Sequence, residues 1–215
     1  MGEAKKRGSR EQRIAKAIAR KCVCQNKQSP SGVKKMGSQE EYERISRILL
    51  EGLTTPGEIN EQVVQFARQL SNKSPLFLDC HPELWSRQSC CDMNVEKYIE
   101  KHGGSLVCGY RIWYNGPYYI EGERHAVWTD GKEYRDVSFS DDGEGTILFV
   151  PDDLGFEDVP GKVRHTFNAE YEWVVDLFNK FDLKIRRMSS QEAWDKMLTY
   201  ERWLAGERMP NMWVE

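Results

Sequence analysis

The chain has no apolar run approaching the ~20 residues that cross a bilayer as a helix. Its N-terminus is charged and lacks the apolar stretch of a secretory signal. A reducing, cytoplasmic setting with no membrane partner is the expectation. There the six Cys are expected as free thiols or ligands, not as a disulfide framework. Internal repeats are lacking, which argues against a solenoid or propeller. The first 35 residues contain no aromatic side chain to stack on bases, so specific reading of nucleic acid is weakly supported.

What is present suits a folded body. With 215 residues, seven Trp, nine Tyr and eight Phe, the chain can bury a sizeable core in one domain with an appendage. A charged fraction of 30% and a mean hydropathy of −0.70 point to a soluble protein. The net charge of −3 hides an asymmetry. Residues 1–35 carry eleven Lys and Arg against Glu3 and Glu11, a local +9, leaving about −12 for the rest. Residues 1–37 therefore read as a basic arm, with a short helix over 10–22. The arm is able to contact nucleic acid or an acidic protein, or simply to act as a solubilising tail. Residues 38–215 read as one α+β domain, with its core at 74–155 and C-terminal helices within 165–206.

Apolar spacing predicts helices from Ser38, where Ser-Gln-Glu-Glu opens a capping box, and over Glu58–Leu70. Residues 74–89 read as irregular. Ser89-Cys-Cys-Asp92 has the S-x-x-D form of a further capping box, opening a helix that stops at Gly103-Gly104. Leu106–Tyr114, Tyr118–Trp128, Tyr134–Phe139 and Thr146–Val150 read as strands, mostly antiparallel because their connections are short. Residues 168–181 and 190–205 read as two further helices. Helices, strands, then helices again give the α+β class.

Asp130-Gly131 suits a two-residue type I′ hairpin loop. That loop would set Thr129 opposite Lys132, Trp128 opposite Glu133 and His125 opposite Asp136. A carboxylate facing an imidazole orients it and stabilises its protonated form. A nucleophile is available in Cys91, which starts a stripe with Val95, Tyr98 and Ile99 on the helix face that packs on the sheet. Its place in the first helical turn favours a thiolate. Cys90 falls toward Asn94 and Lys97 on the polar side.

A Cys opening a helix on an antiparallel sheet, followed by His and Asp on adjacent strands, resembles papain-like and transglutaminase-like cysteine enzymes. The segment HAVWTDGKEYRDVSF is similar to the transglutaminase-like His-Ala-Trp, turn and later Asp. The resemblance implies Cys91 as nucleophile, His125 as base and Asp136 as orienter. Gln88 or the Cys91 N–H would serve as oxyanion donor, with no cofactor. Trp113 and Trp128 are candidates for the walls of a substrate groove. The chain also resembles uncharacterised bacterial and phage proteins. The shared features are the MGEAKKR start, Cys91-Asp-Met-Asn-Val95, Gly103-Gly104, Gly109-Tyr-Arg-Ile-Trp113, Glu121 to Trp128 and Ile147-Leu-Phe-Val-Pro-Asp152. Some of these are associated with a small Cys-rich zinc-chelating motif.

Two metal readings stand beside this. Glu121, Glu123 and His125 alternate on one strand face with Asp136 across the hairpin, a possible divalent site. Cys22, Cys24, Cys80 and His81 would make four zinc ligands. The same strand face can equally be a buried polar network bonded to Ser138 and Ser140. Three functions therefore remain in play: a cysteine hydrolase or acyltransferase acting on a protein or peptide, a non-enzymatic adaptor on the same fold, and a metal-binding protein.

Overall fold

The computed structural model describes residues 37–185 and 188–209. The basic arm, its expected 10–22 helix, and Cys22 and Cys24 lie outside these residues. The described part is α+β, with six α-helices and a six-stranded antiparallel sheet. The helices are α1 (Gln39–Leu50), α2 (Glu61–Leu70), α3 (Cys91–His102), α4 (Glu172–Lys184), α5 (Ser190–Lys196) and α6 (Tyr200–Leu204). The strands are β1 (Leu76–Asp79), β2 (Ser105–Asn115), β3 (Tyr119–Thr129), β4 (Tyr134–Arg135), β5 (Thr146–Pro151) and β6 (Lys162–Thr166). No helix among the described residues is long and apolar enough to cross a membrane.

The sheet runs β1-β5-β2-β3-β4, with β6 also on β3. Period-2 alternation gives β2 and β3 two different faces. Tyr110, Ile112 and Ile120 meet Val63, Phe66, Ala67 and Leu70 of α2. Further along the same face, Ala126 and Trp128 meet Cys91, Val95 and Tyr98 of α3. On the opposite face Val127 joins Leu78, Ile147 and Phe149, and Tyr119 packs between α1 and α4. The stripe expected on α3 is thus the stripe that is buried. Asn94 and Cys90, expected toward the polar side, are buried too.

Two strands escaped the sequence reading. Leu76–Asp79 is too short to show a period, and Lys162–Thr166 is dominated by polar residues. β6 is nonetheless specified by charge, because Lys162 lies opposite Glu123 and Arg164 opposite Glu121. The expected 190–205 helix breaks after α5. Met197 and Leu198 are buried there, and Thr199 caps α6 through Arg202 N. The break frees backbone groups to bind the segment before α3: Gln88 N donates to Leu198 O at 3.0 Å and Tyr200 N to Ser86 O at 2.8 Å.

The hairpin after β3 differs from the expected one. Thr129 pairs with Tyr134 and Trp128 with Arg135, so the loop is four residues long instead of two. Asp130 Oδ1 accepts from Lys132 N and Glu133 N at 2.8 and 3.0 Å. Thr129 Oγ1 accepts from Gly131 N and donates to Glu133 O. Side chains thus build the turn, and of Asp130 and Gly131 only Gly131 has positive φ, at 90°. A slip of two residues leaves side-chain parity unchanged, so Asp136 keeps the face of His125. Regular pairing ends at Arg135, short of the expected Phe139.

One position in β2 admits no side chain. Gly109 pairs with His125, and a Cβ there would overlap the Val150 carbonyl oxygen and the Phe149 ring. Gly109→Ala is expected to destabilise the fold by about 1–3 kcal/mol through overpacking. Chemical denaturation of the variant against wild type checks this, and an unchanged midpoint would refute it.

Candidate active site

The segment before α3 is fixed by short polar side chains. Ser86 Oγ accepts from Glu83 N and donates to Val137 O at 3.0 and 2.8 Å. Asn94 reaches back from α3: its Oδ1 accepts from Arg87 N at 2.7 Å, and its Nδ2 donates to Arg87 O and Ser138 Oγ at 2.9 and 3.2 Å. The chain then turns through Ser89, which has φ +57° and is the only non-glycine at positive φ among the described residues. Such a conformation costs on the order of 1–3 kcal/mol and persists where its surroundings enforce it.

The S-x-x-D capping box does not form. The N-cap is Cys90, and no side chain bonds the first turn of α3. Asp92 instead accepts from Ser190 Oγ at 3.3 Å. Leaving the turn uncapped keeps backbone N–H groups available beside Cys91, the first helical residue.

His125 and Asp136 meet as the sequence predicts, although by a different register. His125 Nε2 lies 3.1 Å from Asp136 Oδ2, and both side chains are buried. Burial opposes charge on the imidazole. The charge of the Asp136 carboxylate, the neighbouring Cys91 sulfur and the hydrogen bond that Asp136 accepts from the ring outweigh it and push the His125 pKa up to about 10. The buried carboxylate thus favours the charged form of the ring. Cys90 behaves differently: burial, then Asp92 and Cys91, push its thiol up to about 12.

A cavity of about 540 Å³ opens on this pair. Gln88, Ser89, Cys91, Arg111, Glu123, Arg124 and His125 line it, together with Trp113, Phe139 and Phe156. Arg111, Glu123 and His125 belong to one sheet face, Arg124 to the other. The cavity therefore straddles the edge of β3, where β6 ends opposite Glu123 and β4 begins opposite Trp128. In that gap Arg124 N bonds Gly161 O at 2.7 Å. Gln88 faces the cavity as expected; its Oε1 is buried without a partner. Trp113 is a cavity wall, held by Glu123 through its Nε1 at 3.0 Å and by the Arg111 guanidinium 3.7 Å from its ring centre. Trp128 is not a groove residue. It is 7% exposed in the core beneath α3, with its Nε1 donating to Gly103 O at 2.7 Å.

The acidic strand face is an ion-pair network. Glu121 accepts from Lys162 at 2.9 Å, Tyr119 at 2.7 Å and Arg164 at 3.3 Å. Burial raises its pKa, but these donors outweigh it and leave a net lowering. Glu123 is shared between Trp113 and Lys162. The Ser138 and Ser140 hydroxyls accept from Asn94 and Arg111 and bond neither Glu121 nor Glu123. Among the described residues no group of three or more His, Cys, Asp or Glu is arranged to hold a metal. The Glu121, Glu123, His125 and Asp136 metal site is thus replaced by cross-strand ion pairs. Of the second proposed ligand set, Cys80 is within the fold, donating to Asp136 Oδ2 at 3.6 Å.

Sequence reasoning missed Asn94 and Cys80 as partners of the site; Ser138, expected to bond the polar strand face, bonds Asn94 and, through its N–H, Asp136. A buried Asn inside a helix leaves no pattern in sequence, and Cys80 meets Asp136 only through an isolated parallel bridge. No family model, curated protein or solved structure matches the chain.

Because folding raises the His125 pKa from ~6.5 to about 10, its contribution to stability is full below ~6.5 and is lost as pH rises through about 10. The wild type is expected to lose melting temperature over this range by more than Asp136→Asn does. Scanning fluorimetry at intervals across it checks this; a gap between the two proteins that is independent of pH would exclude the linkage.

Proposed function

We propose that the protein is a cysteine-dependent hydrolase or acyltransferase acting on a protein or peptide, built on a papain-like or transglutaminase-like core. The observation that carries this reading is that Cys91, opening an uncapped helix, and His125 line one cavity, with Asp136 hydrogen-bonded to His125 behind its wall. A free thiol is only a few per cent ionised at neutral pH.

In this mechanism the Cys91 thiolate attacks an amide, ester or thioester carbonyl, forming a C–S bond and moving the carbonyl π electrons onto oxygen. The Cys91 N–H and the Gln88 side-chain amide serve that oxyanion. The His125 imidazolium protonates the leaving group as the tetrahedral adduct collapses, leaving an acyl-thioester on Cys91. Neutral His125 then takes a proton from an incoming water or amine, which displaces the thiolate. Asp136 holds the ring and stabilises its charged form throughout.

Iodoacetamide labelling, read by peptide mass spectrometry for each cysteine, tests the reading. Cys91 is expected to react fast well below pH 8, with Cys90 silent. His125→Ala is expected to slow Cys91 at neutral pH by at least about tenfold, and Asp136→Asn to cut turnover of an acyl substrate by on the order of 10²-fold or more. Cys91 reactivity that is ordinary and unchanged in His125→Ala would end the enzyme reading.

A further inference from the structure

We propose that Cys80 is a positioning residue of this site: its thiol hydrogen-bonds Asp136 and fixes the carboxylate in the orientation that holds His125. The proposal rests on the Cys91–His125–Asp136 reading above and adds a residue that works through Asp136 alone.

Asp136 is 1% exposed, so its oxygens need donors from the protein. Oδ1 accepts from Ser138 N at 2.9 Å. Oδ2 accepts from His125 Nε2 at 3.1 Å and from Cys80 Sγ at 3.6 Å, an ordinary length for a sulfur donor. The thiol is thus a second donor on Oδ2, adding to the hold that Ser138 N and His125 have on the carboxylate. Cys80 is fixed independently of its side chain, since its N–H donates to Gly145 O at 2.8 Å and the next N–H, of His81, donates to Asp136 O at 2.7 Å. A substitution at Cys80 therefore removes the thiol while the backbone bridge to Asp136 stays.

A thiol fits this role because it donates without competing for the proton. Burial, then the charge of Asp136, hold Cys80 protonated well above its ordinary range, with Arg111 of β2 opposing and Glu144 reinforcing. His125 of β3 faces Asp136 directly, and the Cys91 sulfur of α3 acts on that ring from another side. Among these groups Cys80 is a neutral donor on the same carboxylate oxygen as the imidazolium. It draws charge from that oxygen and so tempers the hold of Asp136 on the His125 proton. Without the thiol the carboxylate holds the His125 proton more tightly.

The test is an NMR titration of histidine-¹⁵N-labelled full-length protein, with His125 assigned by its loss in His125→Ala. It compares wild type, Cys80→Ala and Cys80→Val. Both variants lack the donor, yet one shrinks and the other enlarges the side chain. The expected result is an upward shift of the His125 pKa by about half a unit in both. Iodoacetamide labelling of Cys91 should still depend on His125 in each. An unmoved or lowered His125 pKa in both variants overturns the proposal, as do shifts of opposite sign, which would mark a packing effect. A wild-type His125 that titrates near its ordinary value of ~6.5, regardless of Asp136→Asn, overturns the underlying pair instead. The wild-type curve thus tells the two failures apart.

Discussion

A carboxylate buried to 1% exposure is the constraint around which this fold is arranged. Desolvating a charge of that kind costs several kcal/mol unless donors replace its water. Asp136 obtains them from three parts of the chain: the backbone just after it, the imidazole of β3 and the thiol following β1. The bond to Ser138 N bends the chain out of the ladder after Arg135. The carbonyl of Asp136 in turn receives His81 N, attaching the end of β1 to the same point. Asp136 thereby joins the end of β1 through its backbone and the imidazole of β3 through its side chain.

β3 divides its polar residues between two tasks. Toward its start, Glu121 and Glu123 meet Lys162 and Arg164 of β6, and the charges are absorbed in holding a strand that has little apolar content. Beyond them, Arg124 is committed to Asp152 and to the carbonyls of Gly109, Leu154 and Gly155. Arg111, opposite Glu123 in β2, is paired with Glu144, which also binds Thr54 and Thr55. Both guanidinium groups at the cavity are therefore already neutralised by carboxylates behind its walls. His125 lies between the strand's two structural regions, where the outer edge has no ladder partner.

The elements legible in the sequence were those whose signal is local. The α3 stripe and the long β2 and β3 strands announce themselves by period, and the spacing of His125 and Asp136 after a turn suffices to put them on one face. The loop type was misread because Asp130 and Thr129 can build a four-residue turn from their own side chains, a competition that dipeptide preference does not resolve. Glu121 and Glu123 suggested metal ligands because their partners sit some forty residues downstream in a segment with no strand-like pattern. Trp113 and Trp128 carry the same chemistry in sequence; only their opposite parity in the sheet puts one at the cavity and the other under a helix. The Ser89 signature misled in a similar way: its spacing is that of a cap, while its backbone is turned to expose the helix start.

α3 is anchored at both ends, by Asn94 to the Arg87 backbone near its start and by Trp128 to the Gly103 carbonyl at its finish. Mechanically it is a strut with two fixed bearings. If Cys91 is the nucleophile proposed above, its place at the end of such a strut means that the entropy of bringing sulfur and imidazole together is lost during folding instead of at each encounter with a substrate.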